Sequence, residues 1–265
     1  MTKKNLFFVS LIAISSFFLG CGKSIFTSIP QQKQMGMKVR DEILSKPAEY
    51  PVLDEKTHPQ AYAYLRKITN NVLNSGKLAH RNDFDWEVRI INDDKTLNAF
   101  CTPGGYIFVY TGLIKYLDNE DQLAGVMGHE MGHADKEHSA RTMEKQMGLG
   151  IVAQLAGSVV PEQLSQLTTT FLGLKYSRDY EKEADAASVD YLSTTKYQCN
   201  GAAGFFVKLE AAGGARQPEF LSTHPAPENR IKNINAKAEG MNCTKKAASV
   251  TEYQAFKKML PGSVK

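Results

Sequence analysis

The run His129-Glu130-Met131-Gly132-His133 constrains this chain more than any other five residues. On a helix, positions four apart lie one turn apart on the same face, so both imidazoles can reach one metal ion. The Glu between them stands beside that ion as a base for an acidified water. The motif therefore asks for a helix, a further ligand from elsewhere in the chain, and a fold that brings the two together. A surface helix matching by coincidence would ask for none of these, so the remaining residues must decide.

Two histidines leave a tetrahedral zinc site short of a third protein ligand and an open position. A third His on the same helix, in the register His-Glu-x-x-His-x-x-Gly-x-x-His, is excluded: Lys136 stands where Gly is needed and Ser139 where His is needed. His138 is one residue short and reads as a surface residue on the exit from the helix. The other route takes a Glu from a later helix. Glu181 and Asp185 are four apart and share a face. Glu181 can complete the ligand set while Asp185 receives the second N–H of a ligand histidine. Glu183 competes for the ligand role, but on an ideal helix it points about 160° from that face. A plain charged helix face is the competing account of the stretch. His224, just before Pro225, lies in a loop from which it can swing toward a metal or a developing oxyanion. A solvent-exposed His before a Pro-rich turn is the alternative there.

The spacing of apolar residues supplies the scaffold. It predicts helices over 31–45 and 60–74, separated by a loop over 47–59 with three prolines. Alternation predicts a strand over 84–91, and two shorter strands over 97–101 and 106–110 joined by the turn Thr102-Pro103-Gly104-Gly105. Asp118 caps a helix that carries His129 and His133 and continues toward His138. Further helices are expected to about 148, from about 162 to 195, over 201–212 and over 228–239, with a loop over 213–227. A short helix near 253–259 sits in a basic tail. The order gives an α+β fold, mostly helical, with a small antiparallel sheet.

The ends of the chain speak to location. Lys3 and Lys4 precede the apolar run Leu6 to Leu19, which is too short to span a bilayer and reads as a signal peptide over 1–20. Phe18-Leu19-Gly20-Cys21 resembles a bacterial lipobox, with Cys21 as the lipidated residue; Phe18 stands where Leu is usual. Gly22 rather than Asp after the Cys leans toward the outer membrane, and 21–30 reads as a tether. The net charge of +4 falls to +2 without Lys3 and Lys4, which gives no argument for nucleic acid. The stretch 151–160 is the most apolar after the signal and reads as a buried helix or flap. Cys199 and Cys243 could pair; spacing does not settle it. Cys101 reads as a small buried residue.

His-Glu-x-x-His at 129–133, Ser-Arg-x-x-Glu-x-x-Ala-Asp at 177–185 and His-Pro-x-x-x-x-Arg at 224–230 together resemble the HtpX and CAAX-prenyl-protease family of zinc endopeptidases. The stretch from Asn98 to Leu113 is similar to that family's strand and following helix. The resemblance implies a zincin-type peptidase domain over 31–240, followed by a tail over 241–265. It implies one Zn2+ per chain held by His129, His133 and Glu181, with Glu130 as general base. It implies that Asp185 orients a zinc histidine, and that His224 stabilises the tetrahedral intermediate or caps the zinc at rest. Arg230 is expected to hold the loop bearing His224. Asn98 and Ala99, with the turn at Gly104 and Gly105, are expected to present an edge to an extended substrate. Cys101 departs from the small residue expected beside that edge and could make the site redox-sensitive. The implied protein is a periplasmic, lipid-anchored metalloendopeptidase acting on unfolded or misfolded envelope proteins. The rival from another class is a lipid-anchored binding factor with a structural zinc. The presence of Glu130 argues against it, because a structural site needs no base.

Overall fold

The computed structural model describes residues 24, 27–148, 157, 160–212, 219–226, 228–246 and 250–262. The stretch 1–20 read as a signal peptide, Cys21 and nearly all of the apolar stretch 151–160 lie outside the described residues. Helix α1 spans Ile29–Ser45, with Pro30 in its first turn and the Gln31 side chain accepting the Ser28 N–H. Helix α2 spans Pro59–Leu73 and buries Ala61, Leu65, Ile68 and Val72 on one stripe. Strands β1 (Glu87–Ile91), β2 (Ala99–Thr102) and β3 (Tyr106–Tyr110) form one sheet in the order β1-β3-β2. β1 starts later than the alternation predicts because Trp86 takes a positive φ of 48° and breaks the extended run.

The sheet is mixed rather than wholly antiparallel. β2 and β3 pair antiparallel through the turn at 103–105, but β1 runs parallel to β3. Parallel pairing needs a long crossover, and the connection between β1 and β3 supplies one that carries β2 itself to the far edge. Successive side chains point to opposite faces. Val88, Ile90, Cys101, Ile107 and Val109 join one core cluster, while Ile91, Phe100, Tyr106 and Phe108 join another with Met35 and Val39 of α1.

Helices α3 (Thr111–Tyr116), α4 (Glu120–Asp135) and α5 (His138–Met147) follow. The cap of α4 is Asn119, not Asp118: its side chain accepts the Gln122 N–H at 2.9 Å. The helix does not continue to His138. It stops at Asp135, and Glu137 takes a left-handed φ of 56° that redirects the chain into α5.

The helical stretch expected from about 162 to 195 divides into α6 (Pro161–Leu172) and α7 (Arg178–Leu192). Ser177 ends the break by accepting the Tyr180 N–H. Next come α8 (Gly201–Ala211) and α9 (Glu219–Thr223), the latter inside the segment expected to be loop. α10 (Arg230–Gly240) and α11 (Val250–Lys258) complete the order.

α4 is buried from Leu123 through Asp135 and lies against α7 and α8. Its glycines set that distance. A Cβ on Gly125 would stand 2.1 Å from the Ala202 backbone nitrogen, and one on Gly132 would stand 3.3 Å from the Ala184 carbonyl. The motif helix is thus pressed onto the helix that carries Glu181 and Asp185.

Both ends of the fold are tighter than expected. Beyond residue 240, Tyr253, Phe256 and Leu260 belong to the main core, and Cys199 and Cys243 form a disulfide. In the segment read as a tether, the Ser24 N–H bonds to Glu137, and the hydroxyls of Ser24 and Thr27 bond to Glu144.

Candidate active site

His129 and His133, one turn apart on α4, place their Nε2 atoms 3.0 Å from each other. Glu181, from the first turn of α7, sets Oε2 at 3.5 Å from His129 Nε2 and Oε1 at 3.4 Å from His133 Nε2. His224, just past the end of α9, closes the group. The donor atoms of His129, His133, Glu181 and His224 all lie within 4.8 Å of one another, and all four residues are buried.

The proton positions follow from the partners. His129 Nδ1 is 2.9 Å from Asp185 Oδ1, so Nδ1 carries a hydrogen and Nε2 is the atom left to face a metal. Against burial, Asp185 and then Glu181 raise the ring's pKa to about 9, so a bound cation would take the place of the Nε2 proton. His133 reaches the same state through a relay: its Nδ1 is 2.9 Å from His138 Nδ1, and His138 Nε2 is 3.1 Å from Glu183 Oε2. With a hydrogen on His138 Nε2 and another on His133 Nδ1, His133 Nε2 is a lone pair. Burial pushes the pKa values of His133 and His138 down, which keeps both rings neutral.

The two Nε2 atoms, 3.0 Å apart beside a buried carboxylate, need positive charge among them, either a proton on His129 or a metal cation. Neither Glu181 oxygen has a hydrogen-bond partner, and Glu130 Oε1 and His224 Nε2 are likewise unpartnered. Buried polar atoms are seldom left so, and a divalent ion fits this donor set. Burial would raise the Glu181 pKa, but positive charge and N–H donation beside it, from His224 first and then His129 and His133, hold the carboxyl well below its usual range, so this carboxylate is placed to be paired with positive charge.

Glu130 is the other carboxylate in the group. Its Oε1 lies 3.5 Å from His224 Nε2. Burial pushes its pKa up to about 8, with the Glu181 charge adding to the rise. A carboxylate in that range is matched to proton transfer near neutral pH. His224 Nδ1 approaches the Phe220 carbonyl at 3.2 Å and Thr223 Oγ1 at 2.8 Å, and burial lowers its pKa to about 4. The neutral ring therefore turns its Nε2 lone pair toward Glu130 and the metal-ligand group.

Three readings of the sequence change here. Arg230 does not brace the loop of His224: its Nη2 meets Asp185 Oδ1 at 2.7 Å and Glu181 Oε2 at 3.1 Å, with the guanidinium over the Phe206 ring. It offsets the two carboxylates. His138 is not a surface residue but fully buried. A position five beyond His133 on a continuous helix would face about 140° away, but the left-handed Glu137 turns the chain back. Of the proposed substrate edge, Asn98 lines the cleft above Glu130 and Ala99 lies on β2, one of the two outer strands. Gly104 and Gly105 sit apart from the cleft, where Cβ atoms would strike Lys33 of α1 and Trp86. They serve the turn.

Two aromatic supports carried no recognisable sequence signal. Tyr176 stacks on His133 with ring centroids 3.9 Å apart and bonds Ser139 through its hydroxyl. Phe220 stacks on His224 at 4.3 Å. Cys101 is buried and unpaired on β2, and burial raises its pKa well above the usual thiol value. A thiol buried and held neutral in this way is poorly reactive, which argues against redox sensitivity at this position.

A motif helix bearing two imidazoles and a base, completed by a Glu from a later helix beside a three-stranded sheet, defines a zincin-type catalytic fold. Residues 59–238 match the model of peptidase family M48, and the chain belongs to that family. It is 35% identical over 155 residues to the mitochondrial metalloendopeptidase OMA1 of Arabidopsis thaliana, covering 58% of this chain and 32% of that one. It is 33% identical over 206 residues to a putative beta-barrel assembly-enhancing protease of Vibrio cholerae, covering 66% and 43%. With the OMA1 of Schizosaccharomyces pombe it shares 30% identity over 212 residues, covering 78% and 61%. The chain thus spans between about a third and three-fifths of the length of these relatives. The comparisons establish family M48 without singling out the HtpX and CAAX-prenyl-protease branch.

Proposed function

We propose that this protein is a zinc-dependent endopeptidase that cuts unfolded or misfolded envelope proteins. The observation that carries the reading is the convergence of the His129 and His133 Nε2 atoms on a buried Glu181 whose oxygens make no hydrogen bond, beside Glu130 at the floor of an open cleft. His129, His133 and Glu181 would hold the ion. When bound, zinc supplies Lewis-acid polarisation of a peptide carbonyl and an acidified water.

Glu130 takes the proton of the attacking water and hands it to the leaving amine. His224 stands at the mouth of the group with a lone pair on Nε2. With that lone pair it would serve as a further ligand to a bound ion, and it would donate to an oxyanion only when Nε2 is protonated. Asp185, and His138 with Glu183, keep the two ligand rings in the tautomer the ion requires. β2, paired only with β3 in the three-stranded sheet, offers an extended peptide a main-chain edge near Asn98 and Ala99.

Placement in the bacterial envelope, with a signal over 1–20 and a lipid on Cys21, is part of the same proposal. The apolar run ending in Gly20-Cys21, the Cys199–Cys243 disulfide and the beta-barrel assembly-enhancing relatives support it. The outer membrane is the proposed site of the anchor, and the catalytic domain is proposed to extend from the start of α1 through Leu260.

The test is Glu130→Gln. It is expected to retain zinc and lose at least about a hundredfold in cleavage of unfolded casein. Cleavage at the wild-type rate would overturn the assignment of the base. Labelling cells with a radioactive fatty acid and comparing wild type with Cys21→Ala tests the anchor.

A further inference from the structure

The cleft that opens on Glu130 and His224 has a volume of about 290 Å3 and a distinctive wall. One part is aromatic: Phe100 lies 6.2 Å from Phe171 and 6.4 Å from Tyr110 between ring centroids. Another part is acidic, with Glu49 from the loop after α1, Asp93 from the loop after β1, and Glu219 at the start of α9. Among the described residues lining the cleft there is no Lys or Arg, although the chain as a whole carries +4. The three carboxylates line this one cleft together with Tyr110, whose hydroxyl pKa is raised far above its usual value by burial first and then by Tyr50, Asp93, Glu219 and Glu49. At the floor, the buried Glu130 Oε1 and His224 Nε2 have no hydrogen-bond partner, so the cleft ends on groups that await a ligand.

We propose that this cleft is a side-chain subsite for Lys or Arg, so that the protein prefers peptides with a basic residue next to the bond presented to Glu130. The aliphatic stem of such a residue packs along Phe100 and Phe171, and its cation reaches the carboxylates at the rim. An acidic side chain there meets three like charges, and a short apolar one makes no use of the acidic rim. The inference rests on the endopeptidase reading and names the substrate class of that same cleft. Because Glu49 and Glu219 are exposed, the charge contribution is modest and sensitive to salt.

The experiment uses the mature chain carrying Glu130→Gln, so that peptides bind without being cut. Three fluorescein-labelled decapeptides differ at one central position, which holds Lys, its uncharged isostere norleucine, or Glu. Fluorescence anisotropy is expected to give about tenfold tighter binding for Lys than for norleucine at low salt, with Glu weakest. The ratio of Lys to norleucine affinity is expected to fall toward one at high salt and in the double variant Asp93→Asn with Glu219→Gln. Equal affinities for Lys and norleucine, or a preference that survives the double variant, would overturn the subsite. Casein cleavage by wild type separates the two levels. Cleavage without a charge preference removes the subsite alone, and a charge preference without cleavage removes the endopeptidase reading.

Discussion

At the scale of single residues, the site is decided by where protons sit. Asp185 fixes His129 directly, and Glu183 fixes His133 through His138. These roles predict a graded set of metal affinities. Glu181→Ala removes a ligand and is expected to leave no zinc after dialysis. Glu183→Ala and His138→Ala are expected to keep zinc at about 10- to 100-fold lower affinity, the range for groups that orient ligands. Metal analysis combined with competition against a chelator checks all three; an unaltered affinity in His138→Ala would break the relay. The candidate residues were legible in the sequence because helical geometry turns a spacing of four into a shared face. His138 was misread because its offset of five makes sense only after Glu137 leaves the helix. Tyr176 and Phe220 were invisible because stacking depends on distant elements meeting.

Among the elements, α4 makes the strongest claim on its neighbours. An Ala in place of a mid-helix Gly normally stabilises by up to about 1 kcal/mol. At Gly125 the added Cβ would meet the backbone of α8. Gly125→Ala is therefore expected to destabilise by roughly 1–3 kcal/mol, read from urea denaturation; a gain in stability would show that α4 and α8 can separate without cost.

The exit from α4 supports a second prediction. Glu137 takes hydrogen bonds from Gln32 and the Ser24 N–H and lies 3.4 Å from His80 Nε2. Burial would raise its pKa, but the bonds from His80, Gln32 and Ser24 hold it below its usual range. The bond to Glu137 is the largest effect on His80 and, against burial, raises its pKa. A depressed carboxylate stabilises above its unfolded pKa of 4.5 and loses that contribution as pH falls through the folded value. A raised imidazole stabilises below its unfolded pKa of 6.5 and loses that contribution as pH rises through the folded value. The advantage of wild type over Glu137→Gln is thus expected to peak between those two values and shrink on either side. Urea midpoints across a pH series decide it, and a pH-independent difference would reduce the contact to packing. Element types came through well in the sequence. Their ends did not, because single residues such as Trp86, Glu137 and Gly173 interrupt patterns that periodicity carries straight through.

For the whole molecule, closure depends on the C-terminal segment. Tyr253 and Phe256 enter the main core, and the Cys199–Cys243 bond spans 44 residues between the turn before α8 and the loop after α10. Reduction, or Cys199→Ala with Cys243→Ala, is expected to cost about 2–4 kcal/mol while leaving the metal-ligand group assembled. Thermal denaturation with and without reductant, read beside zinc content, checks both halves. The sequence by itself determined the chemistry on offer: a helix with two imidazoles and a base, a second helix with two carboxylates on one face, and a loop histidine. Those follow from local geometry, which a spacing encodes. Only the tertiary structure decided that β1 lies parallel to β3, that Arg230 sits on Asp185, that His138 turns inward, and that three distant carboxylates share one cleft with the base. Each of these depends on segments far apart in the chain, brought together by burial of apolar faces that carry no record of which partner they meet.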